Sequence, residues 1–117
     1  MLNQRLTAAR DIAAALATAE ADIESAISST SRLITAIADG RRSAGVRFAM
    51  CQESLSASIE VVHALVKARA HAIDAHAALA QDRIDAGLRT VGVGDVGDCP
   101  EPSGRLSIVQ SEDRTAA

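Results

Sequence analysis

The sequence predicts an all-α protein: a long antiparallel two-helix hairpin that pairs with a second copy into a four-helix bundle, followed by a flexible C-terminal tail. Three observations predict it. Residues 2–88 contain no proline, since Pro100 and Pro102 both lie beyond them. The same stretch is rich in alanine and holds the single aromatic residue of the chain, Phe48. Its larger apolar residues recur at alternating steps of three and four, the spacing of helices packed side by side.

The first helix is expected over about residues 3–39. Its stripe is Leu2, Leu6, Ala9, Ala13, Leu16, Ile23, Ile27, Ile34 and Ile37, with Glu20 and Thr30 in the two gaps and Ile12 and Leu33 widening it. Gly40 is placed to end this helix in the left-handed conformation. Residues 41–45 then form the turn, with Ser43 as the N-cap of the next helix. That second helix is expected over about residues 44–89. Its stripe is Phe48, Leu55, Ile59, Val62, Val66, Ile73, Ala80 and Ile84, with Leu65 and Leu88 alongside and Gly87 beginning its end. Alanine fills most other positions and lets helix axes approach closely. The serines Ser25, Ser28, Ser29 and Ser31 of helix 1 and Ser54, Ser56 and Ser58 of helix 2 read either as close small-residue packing near the turn or as solvated outer faces.

Residues 1–89 thus make one hairpin domain. Residues 90–117 are an acidic tail punctuated by glycine and proline, which does not continue a helix. Within it, residues 105–110 alternate weakly, as one short strand or a docking segment would.

Composition narrows the function classes. Residues 1–88 hold nine Lys/Arg and ten Asp/Glu. This near-neutral balance gives no general electrostatic reason to bind nucleic acid, and the lack of aromatics removes a base-stacking platform. No run reaches the roughly 18 apolar residues of a membrane span. Arg5 and Arg10 precede a short apolar run, but Asp11 abuts it and the amphipathic pattern continues past it, so a cleaved signal is not expected. Cys51 and Cys99 form no CxxC motif, and two lone thiols fit a reducing cytoplasm.

Three groups of residues carry chemistry worth weighing. Glu60-Val-Val-His63 matches the Glu-x-x-His pattern of carboxylate-bridged dimetal bundles, and a homodimer would supply two copies together with two of Glu20. A fold about residues 41–42 would put Glu20 at the height of His63. Against a metal site, Glu60 points roughly 140° from the centre of the helix 2 stripe. His63, His71 and His76 share no helix face either. Arg69, His76 and Arg83 continue the column of Phe48, Leu55 and Val62 and form a polar seam. They are read as a column rotating out to solvent, as an ionic layer between protomers, or as an anion site. Glu20 and Asp11 are the candidate counter-charges. Arg41, Arg42 and Arg47 at the tip look like an anion site, but the Lys-Ser/Thr and the preceding strand of a phosphate loop are absent, so a solvated turn is the expectation.

No nucleophile, base and orienting group come together in the sequence, and no cofactor motif is present, so an enzyme is not expected. The leading reading is a non-catalytic interaction protein: an adaptor, scaffold or assembly subunit, homodimeric, with a protein partner bound through the helix seam or the tail. Its interface residues are Leu16, Ile23, Ile27, Leu55, Ile59, Val62, Val66 and Ile73, and its polar seam is Glu20, Arg69, His76 and Arg83. Two alternatives stand beside it. One is a binder of hydrophobic surfaces, lipid or polymer. The other is a dimetal-carboxylate bundle using Glu20, Glu60 and His63.

Overall fold

Two helices run antiparallel in the computed structural model, which describes residues 1–88; the tail, Cys99 and the expected strand at 105–110 lie outside the described residues. Helix α1 spans Leu2–Ala44 and α2 spans Gln52–Asp85. No strand forms among the described residues. At 1.5 Å per residue the 43 residues of α1 extend about 65 Å.

The first helix keeps the face read from its pattern. Leu6, Ala9, Ala13, Leu16, Glu20, Ile23, Ile27, Thr30, Ile34 and Ile37 are each half-buried, and Leu2 at the start is exposed. Hydroxyl residues are accommodated by bonding back to the carbonyl four residues earlier: Thr30 to Ala26 at 2.8 Å in the seam, and Thr7, Thr18, Ser31 and Thr35 likewise outside it. Of the serines, Ser58 alone enters the seam. It is buried and its hydroxyl donates to the Ser54 carbonyl at 2.7 Å, while the others are exposed. The solvated reading therefore holds for most of them.

The boundaries near the tip differ from expectation. Helix α1 runs through Gly40 and Ser43 and stops at Ala44, where Gly45 takes the left-handed conformation (φ 63°) and donates to the Arg42 carbonyl at 3.2 Å. A mid-helix glycine costs only about 0.5–1 kcal/mol. Continuing the helix by a turn brings Arg41 half-buried onto the seam and sets Arg41 and Arg42 against the negative end of the helix dipole. Gly45–Cys51 form the connection, so Phe48 lies in a loop, 90% exposed, and not in the stripe of α2. Cys51, not Ser43, is the N-cap of α2, without a side-chain cap bond and with a positive φ of 70°.

The far end of α2 stops four residues before the expected Arg89. Gly87 (φ 82°) donates to the Ile84 carbonyl and Leu88 to the Arg83 carbonyl at 3.0 Å. That pair of bonds is a Schellman motif, and its apolar residue after the glycine, Leu88, is 1% exposed.

The face of α2 is also corrected. The half-buried or buried row is Cys51, Leu55, Ser58, Val62, Leu65, Ala68, Ala72, His76, Leu79, Arg83 and Ala86. Ile59, Val66 and Ile73 each stand one residue after a seam position (Ser58, Leu65 and Ala72) and lie outside, 51%, 51% and 47% exposed. Small residues at Ser58 and Ala72 let the helices approach on this row, which bulkier Ile59 and Ile73 would hold apart.

Candidate functional site

The seam turns polar towards the open end of the hairpin, where the start of α1 meets the end of α2. Glu20 interrupts the apolar column of α1, and His76 interrupts that of α2. His76 Nδ1 lies 2.8 Å from Glu20 Oε1 and donates to it, with the His76 side chain 11% and that of Glu20 38% exposed. A partly buried carboxylate and imidazole each need such a partner. One step towards the tip, Arg69 Nη2 and Nε approach Glu24 Oε1 at 3.3 and 3.4 Å, with both side chains mostly exposed. An exposed, long ion pair of this kind contributes at most about 1 kcal/mol.

One step the other way, Arg83 is half-buried, and its Nε is buried with no hydrogen-bond partner among the described residues. Leaving a charged donor so placed costs upward of about 1–3 kcal/mol. Nearby, Arg5 Nη1 reaches the Ala86 carbonyl only at 3.5 Å. Between these groups lies a groove of about 300 Å³ whose apolar lining includes Ile12, Leu16, Leu79 and Leu88, with Arg5, His76, Asp82 and Arg83 as its polar lining.

Of the polar seam residues, Glu20 and His76 meet within one protomer, whereas Arg69 pairs with Glu24 and Arg83 lines the adjoining groove. Asp11 makes no ion pair among the described residues. The expected meeting of Glu20 with His63 does not occur, because the turn is centred near Phe48 rather than residues 41–42. His63 stands thirteen residues before His76, about 20 Å along the helix. It shares an open depression with Glu60 and Lys67 on the exposed side of α2. No group of three or more His, Cys, Asp or Glu that could hold a metal forms among the described residues.

At the tip, Arg41 donates to the Val46 carbonyl at 2.9 Å and lies 5.6 Å from the Phe48 ring centroid, and Arg42 pairs with Asp39. Two of the three tip arginines are thus engaged with the chain itself. Of the interface residues read from sequence, Leu16, Ile23, Ile27, Leu55 and Val62 lie in the intramolecular seam, and Ile59, Val66 and Ile73 lie outside it. The groove was missed. Its signals were Leu79, in step with His76 and Arg83, and the Gly87-Leu88 pair that ends a helix with a buried leucine.

No protein-family model matches the chain, no curated protein matches its sequence, and no solved structure matches its fold. No helix among the described residues is long and apolar enough to cross a membrane.

Proposed function

We propose that this chain is a non-catalytic helical interaction protein, an adaptor, scaffold or assembly subunit, whose first partner is a second copy of itself. The observation that carries this reading is the row Ile59, Val66 and Ile73, each about half exposed at seven-residue spacing on α2. The row spans about 21 Å. It is separate from the seam that joins α1 to α2, so it is free to meet another helix. A layer of two helices buries only one stripe of each, and pairing two such layers makes a four-helix bundle. The near-neutral charge of the helical part sets no barrier to like molecules meeting. Cys51, half-buried and free of a disulfide among the described residues, fits a reducing cytoplasm as the compartment.

The test is light scattering coupled to size exclusion over a dilution series. The expected result is a dimer that Val66→Asp converts to a monomer, because the substitution puts a charge in the row but not in the intramolecular seam. A wild-type monomer at all concentrations, or a dimer indifferent to Val66→Asp, refutes the reading.

A further inference from the structure

We propose that the groove at the open end is a binding site for a free medium-chain fatty acid, with the carboxylate held by Arg83 and the alkyl chain laid between the helices. Three observations on independent grounds converge there. Nine of the thirteen lining residues are alanine, leucine or isoleucine, the surface an alkyl chain replaces water on. Arg83 lines the same groove with a buried Nε donor that nothing among the described residues accepts from. Arg5 adds a second guanidinium whose one contact, to the Ala86 carbonyl, is long. Asp82 is the opposing charge in the lining, while the Glu20 carboxylate is engaged by His76.

The head group follows from the donor geometry. A guanidinium presents parallel N–H groups that match the two oxygens of a carboxylate. A neutral alcohol would leave part of that fork unsatisfied, and a cationic head would meet two arginines. The chain length follows from the lining: Arg5 to Leu16 on one side and His76 to Ala86 on the other each span about 15–17 Å. This site is distinct from the Ile59–Ile73 row and does not depend on self-association.

The test is calorimetric titration of the full chain with decanoate, decanol and decyltrimethylammonium, which share one tail and differ in the head. Decanoate is expected to saturate at one per chain. Decanol is expected to bind roughly tenfold or more weakly, the factor a charge-assisted hydrogen bond supplies. Arg83→Leu is expected to reduce decanoate to the level of decanol while leaving decanol unchanged. Because that substitution removes a buried Nε donor without an acceptor among the described residues, the variant is expected to melt no lower than the wild type. Equal binding of decanoate and decanol would show an apolar groove without head recognition. Absence of saturable binding would show a groove closed to small molecules, filled by the chain's own C-terminal residues or by a second copy. Either outcome overturns the proposal, as does decanoate binding that survives Arg83→Leu.

Discussion

Glu20 and His76 illustrate what a single polar pair does in a thin seam. The His76 ring donates to the Glu20 carboxylate at 2.8 Å, so a partly buried carboxylate gains a hydrogen bond where two apolar columns break. Glu20→Ala and His76→Ala are each expected to destabilise the fold by about 1–3 kcal/mol, lowering the thermal midpoint by about 4–8 °C per kcal/mol for a domain of this size. The double replacement by alanine is expected to cost less than the sum of the two, since each single change also removes the partner of the group left behind. A double-mutant cycle followed by circular dichroism checks this, and strictly additive losses would show that the pair is uncoupled. The members of the layer were legible as polar breaks in two apolar columns. Their partnership was not, because it depends on where the chain turns, and the sequence offers two glycines, Gly40 and Gly45, at which it could.

Those two glycines make the prediction that belongs to the scale of the elements. Gly40 sits inside α1 with open space where a Cβ would stand, and Gly45 sits beyond its end with φ 63°. Gly40→Ala is expected to stabilise the hairpin by about 0.5–1 kcal/mol through helix propensity. Gly45→Ala is expected to destabilise it by about 1–2 kcal/mol, because L-residues resist the left-handed region. Opposite signs in urea midpoints verify the boundary; a destabilising Gly40→Ala would return the helix end to the earlier glycine. The face of α1 was readable because it carries one apolar column, broken at Glu20 and Thr30, with alanine beside it. Helix α2 carries two, Ser58-Leu65-Ala72-Leu79 and Ile59-Val66-Ile73-Ala80, offset by one residue. Hydrophobicity favours the second, and the closer approach allowed by small side chains selects the first.

At the scale of the whole molecule, the hairpin has scarcely any interior. Leu88, Ser58 and His76 are the buried residues among those described, and the seam leucines and isoleucines remain in partial contact with solvent. Covering the remaining half of Ile59, Val66 and Ile73 in a dimer contributes about 1 kcal/mol for each side chain. Self-association is therefore expected to raise stability with protein concentration. A thermal midpoint that climbs on concentrating the wild type and stays constant for Val66→Asp would tie the two effects to the same row.

The short loop Gly45–Cys51 also sets an order in time. Every contact between the helices closes a length of chain that grows with distance from this loop: 45 residues for Glu24 with Arg69, 56 for Glu20 with His76 and 81 for Arg5 with Ala86. Closure entropy rises with that length, so the helices zip from the tip and fray from the free ends. The groove lies on the last pairs to form and the first to part. A molecule held there would bind only the fully zipped state, and its occupancy would report, in backbone amide exchange rates, on the completion of folding.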